Sequence, residues 1–331
     1  MTTLPKIFTY HLIRATIRSA TPLVMATVAA IIGKQANIMN IGIEGIMLIG
    51  AFVGIAAGTA TGSWLTGLLG AIAVGVVISA IIGFIHIKYD TNIIVIGVAV
   101  NTMALGFTRF LLQRFYGVVG SYAPPKARVV SLPRLDLEFL AGNPVLYSIF
   151  SGYALVEFLS FICIALLWFY LYKTKYGLRL RCVGLNSIAA ETAGINVKRT
   201  KFLAIIASGV FAGIAGAHLS MSYTSMFVEG MTGGRGFIAT AAMNFGGGNP
   251  VYALLGCLVF GFSDALAMRL QSTGFPSQFV LMIPYVVVVV VLSVTIINQQ
   301  RNKRSRQLKN LRLQLDKAGV AYHRGHRTYI D

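Results

Sequence analysis

Glu44, Arg235 and Asp264 are charged residues set in stretches that are otherwise apolar, and Asn40, Asn101 and Asn244 are amides in the same situation. A charge at the centre of a membrane helix costs about 2.5–3.5 kcal/mol on insertion scales, so each needs a partner or an aqueous path. Groups of this kind orient a polar solute or tie helices together. They do not make a nucleophile and base, and the chain has no HExxH, no CxxC and no clustered His, Asp and Ser. Gly33-Lys34 is the only Gly-Lys pair; Gln35 follows it, and Val28 stands where a P-loop has its first glycine. The sequence therefore offers recognition without an engine, and no enzyme activity of its own.

Two of the charges share a context. Gly42-Ile43-Glu44-Gly45-Ile46 and Gly233-Gly234-Arg235-Gly236-Phe237 both open an apolar helix after a broken segment. Repeats with interrupted helices at equivalent places mark a transporter's substrate path. The competing reading of Glu44 is a helix-start carboxylate that complements the dipole. For Asp264 it is a structural partner on a neighbouring span.

The elements that must position these groups are membrane helices. Of 331 residues, 56% are apolar and 11% charged, with a mean hydropathy of +0.73. A soluble domain carries about 25% charged residues. Backbone groups at membrane depth must be satisfied internally, so an all-α polytopic bundle follows. The net charge of +18 reflects anionic lipid and the positive-inside bias rather than nucleic acid. Cys163, Cys182 and Cys257 have no metal or redox spacing and read as small fillers.

Residues 1–19 alternate apolar and basic side chains and predict an interfacial amphipathic helix; Lys6, Arg14 and Arg18 run through them, which argues against a signal peptide. Apolar runs follow at roughly 20–33, 38–61, 64–87, 91–113, 149–172, 202–222, 236–247, 250–271 and 278–298, giving about 8–10 transmembrane or re-entrant helices with a probable internal repeat. The 236–247 run is too short to cross straight and predicts a half-helix or a re-entrant piece. Gly50, Gly54, Gly58 and Gly62, and Gly209 with Gly213, recur every fourth position and predict close helix contacts. Residues 115–144 are proline-rich and polar enough to sit in water outside the membrane. Residues 299–331 form a basic tail whose Leu308, Leu311, Leu313 and Leu315 suit a helix on the inner leaflet.

Between the fifth and sixth runs lies a basic loop, residues 173–201. Lys173, Lys175, Arg179, Arg181, Lys198, Arg199 and Lys201 frame it, and Glu191 is its only acid. Basic loops stay in the cytoplasm. Its middle, roughly 187–194, is Ala-rich and predicts a short helix stopped by Gly194. With the loop and the tail both inside, five runs before the loop put the N-terminus outside unless one early run is re-entrant. A short ordered helix offered to the cytoplasm is a docking element.

At this point the sequence resembles a known family. The stretches Asn40–Phe52 (NIGIEGIMLIGAF), Gly177–Ala217 and Gly233–Leu266 are similar, in order and spacing, to the permease subunits of ABC importers for simple sugars, nucleosides and branched-chain amino acids, most of all the nucleoside-type branch. The resemblance implies a half-transporter in a bacterial plasma membrane. Its partners would be an ATPase subunit, a second permease subunit (by family habit a different chain) and an extracytoplasmic substrate-binding lipoprotein. ATP and magnesium would belong to the ATPase, with no cofactor on this chain. It assigns Asn186, Ala189, Ala190, Glu191, Ala193, Gly194 and Ile195 to the cytoplasmic coupling loop, within a transmembrane permease domain of residues 20–298. Asn40, Glu44, Asn101, Arg235, Phe237, Asn244 and Asp264 are then candidates for the translocation pathway. Phe237, Phe245 or Phe107 would give a nucleoside base a stacking surface, or else serve as ordinary packing. A branched-chain amino acid or ribose permease has the same architecture. From another class, a secondary transporter would draw on ion flow through Glu44 and Asp264.

Overall fold

The computed structural model describes residues 10–125, 130–135 and 152–271, with isolated positions between 282 and 310. The chain divides into two units, residues 1–288 and 289–331. The second is helical at its described positions, and most of the residues expected to form the tail helix lie outside the described ones.

The helices of the first unit are α1 (Tyr10–Gln35), α2 (Ile43–Thr61), α3 (Trp64–Tyr89), α4 (Ile93–Tyr116), α5 (Leu155–Lys173), α6 (Lys175–Leu185), α7 (Ser187–Thr192), α8 (Val197–His218), α9 (Arg235–Phe245) and α10 (Pro250–Gln271). Among the described residues seven are long and apolar enough to cross a bilayer: α1 to α5, α8 and α10. Helix α9 has 11 residues and rises only about 16 Å, half of a hydrocarbon core of about 30 Å. It is the half-helix expected. Of the last apolar run, 278–298, about half of the residues are described, and those are helical.

Helix α1 fixes the two ends of the bundle, because its 26 residues reach about 39 Å. Near its start the Arg14 guanidinium donates to the Gly152 carbonyl at 3.0 Å. At its end Gln35 lies against Gly184 of α6. The basic loop and the start of α5 are therefore at opposite ends, and all five helices before the loop are complete. With the loop inside, the start of α1 is outside, and no early run is re-entrant. The paired strand segments Ser121–Tyr122 with Phe227–Val228, and Arg134–Leu135 with Tyr153–Ala154, lie at the end away from the loop, where the proline-rich connection was expected. Residues 126–129 and 136–144 of that connection lie outside the described ones.

One boundary is corrected. Residues 10–19 do not form a separate interfacial helix but continue into α1. Their charges find partners: Arg18 Nε is 3.6 Å from Glu157, and its terminal nitrogen donates to the Ser222 carbonyl at 3.2 Å. Glu157, only 2% exposed, also faces His218 at 3.4 Å and accepts the Ala154 N–H. A buried carboxylate is tolerable on those terms.

The core forms where small residues let backbones meet. Gly209 and Gly213 of α8 press on Gly75 and Ala71 of α3, and Gly50 of α2 lies against Gly213 with 3.2 Å available to a Cβ. In the expected glycine ridge, Gly50, Gly54 and Gly58 face such contacts. Gly62 does not: it has open space around it and φ +71°, and its N–H caps α2 on the Gly58 carbonyl.

Candidate functional site

Two junctions hold the residues singled out in the sequence. The first lies where the breaks before α2 and α9 converge. The Glu44 carboxylate accepts N–H groups from Gly234 at 2.7 Å and Gly236 at 2.6 Å, so it caps a helix other than its own. Anionic groups belong at a helix N-terminus, where unpaired N–H groups and the dipole favour negative charge. The approach requires glycine: a Cβ on Gly236 would come within 2.8 Å of the Glu44 Cα. Gly234, at φ +79°, turns the chain into α9.

Arg235, one residue on, points the other way. It donates to Asp264 of α10 at 3.1 Å and to the Met231 carbonyl at 3.2 Å, and lies 5.8 Å over the Tyr223 ring. Tyr285 donates to the Gly233 carbonyl at 2.9 Å. A cavity of about 200 Å³ beside the ion pair is lined by Leu23, Gly233, Arg235, Phe260, Asp264 and Tyr285 among others. That is smaller than the 300–1,000 Å³ of ordinary ligand pockets.

Asn101 and Asn244 are ties rather than free groups, whereas the buried Asn40 leaves its Nδ2 without a partner among the described residues. Asn101 of α4 bridges the start of α2, accepting Gly45 N–H at 2.8 Å and donating to the Ile41 carbonyl at 3.1 Å. Asn40 is buried, 4% exposed, and its oxygen accepts Gly42 N–H. Asn244 accepts Lys34 Nζ at 2.9 Å, joining the last turns of α9 and α1. Both ends stop in left-handed turns, Asn37 at φ 58° and Gly247 at φ 61°, whose backbone bonds satisfy the last carbonyls. Phe237 is 48% exposed and presents its ring to the outside of the chain.

The second junction is the basic loop, residues 173–201. It is more ordered than expected, because the basic stretch 175–185 is itself helical (α6). Helix α7 follows after Asn186, whose side-chain oxygen accepts N–H groups from Ile188 and Ala189 at 3.1 Å each. It ends as the sequence predicted: Gly194 at φ +79° carries a pair of reverse bonds, Ile195 N–H to Ala190 and Gly194 N–H to Glu191. Asn196 then accepts Arg199 N–H and starts α8. Ala190 is buried against the bundle, which fixes the orientation of α7, whereas Ala189, Glu191, Ala193 and Gly194 are exposed and Ile195 is half-buried.

Sequence reasoning missed Leu185 and Ile188. They are 87% and 77% exposed and flank Asn186. Two large apolar side chains in a basic, Ala-rich loop were the available signal, since such a loop has no internal use for them.

The profile of the permease component of branched-chain amino acid transport systems matches residues 12–292. A guanosine ABC transporter permease protein of Bacillus subtilis, NupQ, is 33% identical over 300 residues, 85% of this chain and 91% of its own. A nucleoside ABC transporter permease protein of Lactococcus lactis, NupC, is 35% identical, covering 83% and 88%. A putative glucose ABC transporter permease protein of Haloferax volcanii, TsgC13, is 32% identical, covering 80% and 79%. No solved structure matches. A match spanning most of the chain, together with helices that are long and apolar enough to cross a bilayer, places this protein in the permease-component family of branched-chain amino acid-type transport systems.

Proposed function

We propose that the chain is the permease subunit of an ABC importer that moves a nucleoside or a related simple sugar into the cell by alternating access. The observation that carries this reading is α7, a capped cytoplasmic helix with Leu185 and Ile188 extended from it. It stands on a chain whose only Gly-Lys pair cannot hold nucleotide. The ATPase, with its ATP and magnesium, is a separate subunit that seats α7.

Movement of α7 then passes directly into α8, since only residues 193–196 separate them. Helix α8 is 22 residues long, about 33 Å, and its glycines lock it against α2 and α3. A shift at the cytoplasmic end thus becomes a rigid-body displacement of the spans. The small cavity beside Arg235 agrees with a substrate path completed by a second permease subunit, and an extracytoplasmic lipoprotein delivers the solute. Glu44 and Asp264 each have fixed partners, which speaks against their carrying a coupling ion. The nucleoside assignment follows the Bacillus and Lactococcus relatives, which are named for guanosine and nucleoside transport; the family's description favours branched-chain amino acids as the second reading.

Proteoliposomes containing the chain with its ATPase, permease partner and binding protein should accumulate labelled guanosine on addition of ATP and ignore leucine. Uptake of leucine alone would replace the substrate. Guanosine accumulation driven by a proton or sodium gradient without ATP would remove the importer reading altogether.

A further inference from the structure

A cleft of about 990 Å³ opens between α5 and α8 on the cytoplasmic side. The two helices barely touch; both lean on α1, whose Ile32 lines the cleft between them. One wall is a stripe at every fourth residue of α8, Arg199, Leu203, Ala207 and Phe211, and the facing wall includes Cys163, Leu166 and Leu167 of α5. From Arg199 to Phe211 the stripe rises about 18 Å, close to the half-thickness of a hydrocarbon core of about 30 Å. Tyr170, Tyr176 and Arg179 stand with Arg199 at the mouth.

The cleft thus grades from two guanidinium groups and two phenols at the membrane surface to purely apolar walls one leaflet deep. Among the described residues no carboxylate lines it; Glu191, the only acid of the loop, is elsewhere on α7. Neither the Arg179 nor the Arg199 guanidinium has a hydrogen-bond or ion-pair partner among the described residues, and both side chains are exposed. An aqueous protein segment has no reason to enter an apolar slot of that depth, and a water-soluble anion would leave its walls empty. Guanidinium pairs bind phosphate oxygens in a forked geometry, and basic pockets between membrane helices on this side hold anionic headgroups.

We propose that this cleft is a binding site for one anionic phospholipid of the inner leaflet, its phosphate between Arg179 and Arg199 and an acyl chain along Leu203, Ala207 and Phe211. Because Ala193, Gly194 and Ile195 form part of the wall, the lipid braces the end of α7 and makes its stiffness depend on membrane composition.

The test is native mass spectrometry of the full chain titrated with phosphatidylglycerol or phosphatidylcholine. Wild type should retain one phosphatidylglycerol in preference to phosphatidylcholine. Each of Arg179→Gln and Arg199→Gln should weaken retention about fivefold, and both together roughly 30-fold. Ala207→Trp, which fills the slot without touching charge, should abolish the bound lipid while the chain stays monodisperse. Equal retention of the two lipids by wild type overturns the site. So does full phosphatidylglycerol retention in Ala207→Trp, which would mean attraction to basic surface alone. Arginine variants that keep the lipid but lose an associated ATPase would assign those side chains to a protein contact instead.

Discussion

Glu44 grips the backbone of Gly236, 192 positions later in the chain, at 2.6 Å. The carboxylate serves as the N-terminal cap that α9 lacks locally, since the residue before that helix is glycine. Glu44→Ala should therefore loosen α9, destabilising the protein by about 0.5–2 kcal/mol. Glu44→Gln, which keeps an acceptor, should lose less. Gly236→Ala should be at least as damaging, because the new methyl meets backbone rather than a side chain that can move. Thermal unfolding of the purified variants orders these three effects.

Arg235 and Asp264 form the other tie to α9. Their side chains are 19% and 25% exposed, so the pair is neither fully desolvated nor screened like a surface bridge. Either single neutralisation should impair folding and transport. The pair Arg235→Met and Asp264→Leu together should be milder than the sum of the singles, with a coupling of about 0.5–3 kcal/mol in a double-mutant cycle.

Helix packing by glycine gives a sharper contrast. Gly213→Val places a branched side chain against the Ala71 backbone of α3, and assembly should fail, read as loss of monodisperse protein. Gly106→Val, on α4 with nothing within 4 Å of its Cβ position, should leave yield and unfolding unchanged within about 0.5 kcal/mol. Small-residue periodicity alone does not separate the two.

Helix α7 depends on its caps. Asn186→Ala removes the acceptor for two N–H groups and should destabilise the helix by about 1 kcal/mol. Gly194→Ala, at φ +79°, should do so by about 1–2 kcal/mol. Hydrogen exchange in residues 187–195 should accelerate in both, with protection in α3 and α8 unchanged.

The spans were legible because 20-residue apolar runs have few alternatives, and α7 because Asn, Gly and a short Ala-rich stretch spell out a capped helix. The start of α1 was not: Arg14 and Arg18 look interfacial until Gly152, Glu157 and Ser222 are seen opposite them. Glu44 was rightly singled out as a charge at a helix start, yet the helix it complements is α9, a pairing that no local pattern encodes. Asn244 was singled out as an amide in an apolar run, but nothing local to that run points to Lys34 at the end of α1 as its partner. Periodicity reports which residues are buried; it carries no information on which distant helix end they meet.

The most direct test of the account is co-purification of the ATPase with the chain after Leu185→Asp and Ile188→Asp, two exposed positions outside the bundle core. The account predicts that the variant inserts and unfolds like wild type but brings down no ATPase and supports no ATP-driven uptake. Retention of the ATPase at wild-type levels, with normal transport, would contradict it.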